Sequence, residues 1–116
     1  MKSGRDLINE AKSRIRMVTT EQGMELHKKP GVVFLDVRDL QEVNLGKLPG
    51  ALHISKGNLE TKVEAVIPRN AEVVIYCASD NRSALAADIM QNMGYENVVS
   101  MANGFRGWAE AGGDIE

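Results

Sequence analysis

The segment Cys77–Ser83 (CASDNRS) holds the residues of this chain that are best suited to covalent chemistry. It begins where the run Glu72–Cys77 (EVVIYC) ends, and that run is rich in the β-branched and aromatic residues of a buried strand. It continues into an apolar stripe that predicts a helix over Ser83–Met93. Because such a strand–loop–helix junction offers backbone N–H groups and the positive end of a helix dipole, it favours a bound anion.

Cys77 opens this loop and is the single cysteine of the chain. The loop amides, the helix end and the positive charge of Arg82 each favour the ionised sulfur over the thiol. A loop-borne thiolate is a nucleophile, so we predict that Cys77 is catalytic. The alternative is a buried structural cysteine, which would need neither a loop of small polar residues nor an adjacent arginine and helix start.

The elements around this loop alternate between strand and helix. Further strands are predicted at Val32–Val37, Ala51–Ile54 and Val98–Met101. Further helices are predicted at Thr20–Lys28, Asp39–Asn44, Leu59–Ile67 and Phe105–Ala111. The alternation predicts an α/β domain with a mostly parallel central sheet and helices on both faces. Ligands of such sheets bind at the carboxyl ends of the strands, which is where Cys77 stands.

The first 14 residues predict an additional helix. Ser3 and Asp6 have the spacing of a capping box, and an apolar face is formed by Leu7, Ile8, Ala11 and Ile15. We therefore divide the chain into an N-terminal helical extension (residues 1–14) and a domain (residues 15–116). We favour packing of this helix on its own domain over a dimer or partner contact, and both monomer and homodimer stay open.

Composition excludes several classes of function. With 14 basic and 16 acidic residues the net charge is −2, so neither nucleic acid nor an anionic membrane is an expected partner. A single cysteine excludes an intrachain disulfide and a CxxC redox pair. His27 and His53 are too few and too far apart in sequence for a metal site, and no cofactor is expected. Neither a signal-peptide pattern nor a long apolar run is present, which favours a cytoplasmic protein.

Several segments along nearly the whole chain form an ordered set of motifs. They are Leu35–Arg38 (LDVR), Gly46–Ile54 (GKLPGALHI), Ile75–Cys77, the loop Cys77–Ser83 (C-x-x-x-x-R-S), Met93–Val98, and Asn103–Phe105 with Trp108. In this order they resemble the single-domain rhodanese family of sulfurtransferases, whose active-site loop is similar to Cys77–Ser83. Each match is weak alone, but their order and spacing over about residues 15 to 112 are specific.

The resemblance implies a sulfurtransferase that moves sulfane sulfur from a donor such as thiosulfate to a thiophilic acceptor. That acceptor would be cyanide or a thiol, including a protein thiol, and the sulfur would be carried as a persulfide on Cys77. The substrate-binding residues that the resemblance implies are Ala78, Ser79, Asp80, Asn81, Arg82 and Ser83. Among them Arg82 would hold an anionic donor, and Ser83 would cap the helix or donate a hydrogen bond. Asp36 and Arg38, near the end of a predicted strand, are expected to support the loops around the site.

Two other functions on the same fold stay open at this point. A noncatalytic sulfur carrier or regulatory binding module would keep Cys77 without turnover. Phosphatases of the same superfamily use a cysteine loop that is one residue longer, Cys-x5-Arg. Because the arginine here is Arg82, the loop suits a sulfur atom better than a phosphate, and this disfavours phosphatase chemistry.

The chain departs from the family pattern at two positions. Asp80 stands where the family usually has Gly, and Asn103 replaces the first residue of a Gly–Gly pair. Both residue types tolerate the left-handed backbone conformation, so the local structure should form. The Asp80 carboxylate, however, places a negative charge beside a site that must stabilise an anionic sulfur and attract anionic donors. We expect weaker turnover of thiosulfate than an Asp80→Gly variant would show.

Overall fold

The computed structural model describes all of residues 1–116, in which strands and helices alternate. The strands are β1 (Arg16–Val18), β2 (Val32–Asp36), β3 (Leu52–His53), β4 (Glu72–Tyr76) and β5 (Val98–Met101). The helices are α1 (Gly4–Arg14), α2 (Thr20–Lys28), α3 (Leu40–Asn44), α4 (Leu59–Val66), α5 (Asn81–Asn92) and α6 (Gly104–Glu110). A short 3-10 turn, Lys56–Asn58, leads into α4. None of the helices has the length and apolar character needed to cross a membrane.

The five strands form one sheet in the order β1-β5-β4-β2-β3, and every pair of neighbours is parallel. The central strand β4 pairs with β2 along its whole length and with β5 on its other side, so Ile75 lies between Leu35 and Ser100. Both faces of β4 are covered, which explains why its sequence is apolar from Val73 to Tyr76. The predicted α/β class with a mostly parallel sheet is confirmed.

Side chains alternate along β4 between two apolar layers. Val73, Ile75 and Cys77 belong to one layer, with residues of α4 and α5, while Val74 and Tyr76 belong to the other. Trp108 of α6 packs in the second layer, and the helices α2 and α6 contact each other on that side. Helices therefore cover both faces of the sheet, as predicted.

The N-terminal helix α1 packs against α5. Its capping box is formed, since Ser3 Oγ accepts the N–H of Asp6 and the Asp6 carboxylate accepts the N–H of Ser3. Arg14 at its end donates to both carboxylate oxygens of Asp88 on α5, at 2.9 and 2.7 Å. Ala11 is buried in this contact region, but Leu7 is half exposed. The division between residues 1–14 and 15–116 stays a prediction.

Most predicted elements match the structure to within about one residue at each end, but one strand is additional and one helix begins two residues earlier. Strand β1 was not predicted, because its three residues Arg16–Val18 are mostly exposed at the sheet edge and show no apolar pattern. Helix α5 begins at Asn81 rather than at Ser83, and Asp80 is the residue before its first turn. The loop between β4 and α5 is therefore shorter, and the N–H groups of the first turn of α5 lie within the segment that was predicted to bind substrate.

Candidate active site

Cys77 directly follows the central strand and lies at the carboxyl end of the sheet. Its side chain is buried and its thiol is free. The sulfur lies 3.4 Å from the hydroxyl oxygen of Ser83, in the first turn of α5. Strand end, thiol and helix start are thus brought together as the sequence predicted.

The beginning of α6 holds the carbonyl groups of the loop. The N–H of Phe105 donates to the carbonyl of Cys77 at 2.8 Å, and the N–H of Arg106 donates to the carbonyl of Ala78 at 3.2 Å. The peptide bonds are trans, so each carbonyl points opposite to the N–H of the next residue. The N–H groups of Ala78 and Ser79 therefore point away from α6.

Gly104 allows this close approach of α6 to the loop. A Cβ at this position would overlap the carbonyl oxygen of Cys77 and would lie 2.7 Å from that of Ser79. Its φ of +45° is also in the left-handed region that favours glycine. The preceding Asn103 has φ of 64°, so asparagine accepts the left-handed conformation here, as expected.

Asp80 does not need the left-handed conformation that aspartate tolerates. Its φ is −130°, so the loop forms, as expected, without a left-handed residue at this position. Its carboxylate instead accepts the N–H of Asn103 at 2.8 Å. The two residues at which this chain departs from the family pattern are therefore hydrogen-bonded to each other.

Arg82 is paired with Glu42 of α3. The guanidinium donates to both carboxylate oxygens, at 2.7 and 3.0 Å, and about a third of each side chain is exposed. The hydrogen bond from Arg82 is the main reason that the pKa of Glu42 falls to about 2, and the pair also raises the pKa of Arg82. Sequence reasoning missed Glu42, whose one local signal is its capping-box spacing from Asp39. Arg82 is thus paired within the protein, and its role toward an anionic donor stays a prediction.

Asp36 and Arg38 form a buried ion pair beside the site. Arg38 Nη2 lies 2.8 Å from the Asp36 carboxylate and also donates to the carbonyl of Gly46 at 2.7 Å. The Arg38 guanidinium lies over the ring of Phe105, 4.3 Å from its centroid. Since the N–H of Phe105 holds the Cys77 carbonyl, the ion pair contacts the element that holds the loop. A supporting role for both residues stays a prediction.

A cavity of about 430 Å³ lies elsewhere, between α2 and the segment that follows α6. Its lining includes Met24, His27, Trp108 and Asp114 but no residue of Cys77–Ser83. The predicted chemistry therefore lies outside this cavity, at the carboxyl end of the sheet.

The fold and this strand–loop–helix site define a class of protein that is known from other organisms. The chain belongs to the rhodanese-like domain family, whose model matches residues 19–111. This confirms the resemblance that the sequence motifs indicated.

Particular relatives give this similarity more detail. The chain is 31% identical over 100 residues to the thiosulfate sulfurtransferase GlpE of Pseudomonas putida, covering 83% of this chain and 86% of that protein. It is 35% identical over 74 residues to the putative sulfur carrier protein YrkF of Bacillus subtilis, covering 64% of this chain and 40% of that protein. A solved structure from Rhodopseudomonas palustris, the protein RPA3614 of unknown function and a possible tyrosine phosphatase, superposes with a TM-score of 0.91 at 36% identity. The match covers 100% of this chain and 96% of that chain.

Proposed function

We propose that this protein is a sulfurtransferase that carries sulfane sulfur as a persulfide on Cys77. The observation that carries the proposal is the placement of a single free thiol at the carboxyl end of β4, directly before α5. The loop carbonyls of Cys77 and Ala78 bond to α6, which leaves the opposite N–H groups available to an anion. Membership of the rhodanese-like family and the similarity to GlpE support a sulfurtransferase in general.

The proposed reaction has two steps. In the first, the Cys77 thiolate attacks the outer sulfur of thiosulfate, the S–S bond of thiosulfate breaks, and sulfite leaves with the bonding electron pair. In the second, cyanide attacks the outer sulfur of the persulfide, thiocyanate leaves, and the thiolate is restored. The N–H groups from Ala78 to Ser83 would bind the anionic outer sulfur. The mechanism needs a free thiol, which suits the reducing cytoplasm that we propose as its location.

Intact-mass measurement tests the proposal directly. After incubation of the full chain with thiosulfate, we expect a mass gain of one sulfur atom that disappears when cyanide is added. The same treatment of a Cys77→Ser variant should give no gain, since this chain has no second cysteine. Absence of the gain with thiosulfate and with an organic persulfide would overturn the proposal.

A noncatalytic sulfur carrier is the second candidate, and the similarity to YrkF favours it. The chain spans 40% of the length of that protein, so what YrkF does as a whole does not follow for this chain. The two candidates differ in turnover. A sulfurtransferase should release many equivalents of thiocyanate per protein from thiosulfate and cyanide, whereas a carrier should release about one.

Phosphatase chemistry is a weaker candidate, although RPA3614 is described as a possible tyrosine phosphatase. The loop of this chain has four residues between Cys77 and Arg82, one fewer than the Cys-x5-Arg loop of phosphatases. In addition, the guanidinium of Arg82 is held by Glu42. We therefore expect no hydrolysis of an aryl phosphate above the level of the Cys77→Ser variant.

A further inference from the structure

Ser100 is a fully buried polar residue in the middle of β5. It lies beside Ile75 of β4 on one side and Met17 of β1 on the other. Its hydroxyl faces α5 and donates to the hydroxyl oxygen of Ser83 at 2.8 Å. Nothing in the local sequence (VVSM) distinguishes this serine. Its hydroxyl, however, is hydrogen-bonded directly to Ser83, which is the residue that contacts the Cys77 sulfur.

Ser83 is the centre of a small hydrogen-bond network. Its hydroxyl oxygen accepts from Ser100 and from the Cys77 thiol, whose sulfur lies 3.4 Å away. Its own proton is donated to the carbonyl of Asp80 at 3.1 Å. A hydroxyl has one proton to donate, so this arrangement suits Cys77 only while the sulfur carries its proton.

Loss of the thiol proton to solvent reverses what the sulfur requires, because a thiolate accepts hydrogen bonds. The Ser83 hydroxyl can then turn its proton from the Asp80 carbonyl to the sulfur. The carbonyl is not left without a partner, since it also accepts the N–H of Ala84 at 3.0 Å. The network can therefore serve both protonation states of Cys77 with a rotation of one hydroxyl.

We propose that Ser100 is a positioning residue that keeps Ser83 as the hydrogen-bond donor to the ionised sulfur of Cys77. While the Ser100 hydroxyl donates to Ser83, the Ser83 hydroxyl can donate its own proton to the Asp80 carbonyl or to the sulfur but not to the oxygen of Ser100. A hydroxyl that accepts a hydrogen bond is also a stronger donor. The same contact would stabilise the inner sulfur of the persulfide, and that part rests on the proposed function.

The experiment is a titration of the thiolate by its ultraviolet absorbance in the full chain. The Cys77→Ser variant is the blank, since Cys77 is the single cysteine. Burial raises the pKa of both tyrosines, Tyr76 and Tyr95, so tyrosinate absorbs little in the range of the thiol titration. The readout does not depend on sulfur transfer, and it stays informative if the mass experiment fails.

For Ser100→Ala we expect the midpoint of the titration to rise by about half to one pH unit. At a fixed pH below the midpoint, this shift lowers the fraction of Cys77 that is ionised about three- to tenfold. A remote serine in α1, Ser13, provides the matched control, and Ser13→Ala should leave the midpoint unchanged. Ser100 is proposed to act through Ser83, so Ser100→Ala should cause no additional shift in a Ser83→Ala background. An unchanged midpoint in Ser100→Ala, or an equal shift with Ser83 absent, would overturn the proposal.

Loss of structure must be separated from loss of the hydrogen bond. A urea unfolding curve of Ser100→Ala checks that the variant is folded under the titration conditions. A Ser100→Thr variant keeps the hydroxyl and adds a β-branched carbon that strands tolerate. We expect its midpoint to stay closer to the unsubstituted protein than that of Ser100→Ala. A Thr variant that is folded but titrates like the Ala variant contradicts the role assigned to the hydroxyl.

Discussion

Gly104 is the first residue of α6, and its Cα lies against the loop that carries Cys77. From this contact we predict the effect of a Gly104→Ala substitution. In Gly104→Ala, the added Cβ would overlap the carbonyl oxygen of Cys77 and approach that of Ser79 to 2.7 Å. Both neighbours are backbone atoms, so no side chain can rotate away to relieve the contact. Either α6 or the loop must move.

Two terms contribute to the free energy of unfolding of this variant. A left-handed backbone costs a non-glycine residue about 1–2 kcal/mol. Movement of α6 also weakens the bonds from Phe105 and Arg106 to the loop carbonyls, each worth about 0.5–1.5 kcal/mol. We expect a loss of about 2–5 kcal/mol in total, to be compared with the stability of about 5–15 kcal/mol that is usual for a domain.

Gly112 provides a matched control. Its φ is +81°, also left-handed, but a Cβ there would meet nothing within 4 Å. Gly112→Ala therefore has the backbone strain without the contact, and it should lose about 1–2 kcal/mol. Alanine also reduces the backbone conformational entropy of the unfolded chain relative to glycine. This effect is the same in both variants and cancels when their free energies of unfolding are compared.

Urea unfolding and the sulfur-transfer rate together measure the effect. Beyond its larger loss of stability, Gly104→Ala should lower kcat/KM for thiosulfate by about tenfold or more, because a displaced loop no longer aligns its N–H groups with the sulfur. Gly112→Ala should keep kcat/KM. If the two variants lose equal stability and equal activity, the explanation of Gly104 by its contact with the loop is refuted.

Three further predictions concern the charges around Cys77. Asp80→Asn removes a negative charge but can still accept the N–H of Asn103, so kcat/KM for thiosulfate should rise while stability is kept. Asp80→Gly should also be faster but should lose about 0.5–1.5 kcal/mol in urea unfolding, because the exposed N–H of Asn103 loses its acceptor in the protein. An unchanged or lower rate in both variants would refute the effect of the charge. Glu42→Gln should release Arg82 and lower the KM for thiosulfate about two- to fivefold. Glu64→Gln, which breaks an exposed ion pair elsewhere, should leave the KM unchanged. A higher KM in Glu42→Gln would contradict the effect that we assign to the released Arg82. The pKa of Glu42 is depressed from its ordinary value of about 4.5 to about 2, so the ionised carboxylate stabilises the folded protein fully above pH 4.5. This contribution to the free energy of unfolding is lost as the pH falls toward 2. The difference in the free energy of unfolding between the unsubstituted protein and Glu42→Gln should therefore shrink over that pH range.

The central strand, α5 and the loop between them could be predicted because their signals are local. The apolar run of β4 reports burial on both faces, and small polar residues mark the loop. Glu42 and Ser100 could not be found in this way, because each looks ordinary among its neighbours. Their importance arises from partners that are 40 and 17 positions away in the sequence, which the sheet order brings into contact. A single sequence does not reveal such pairs.

Asp80 and Asn103 show how two local departures can form one feature. Considered separately, Asp80 weakens an anion site and Asn103 is a neutral replacement of a glycine. In the structure the Asp80 carboxylate accepts the N–H of Asn103, and that residue leads into the turn of α6 that binds the loop carbonyls. The negative charge near Cys77 is therefore joined to a contact that fixes α6 against the loop. Because glycine at position 80 would supply no acceptor, we expect the left-handed turn at Asn103 to be less well fixed in Asp80→Gly than in Asp80→Asn, even though both variants relieve the same electrostatic repulsion.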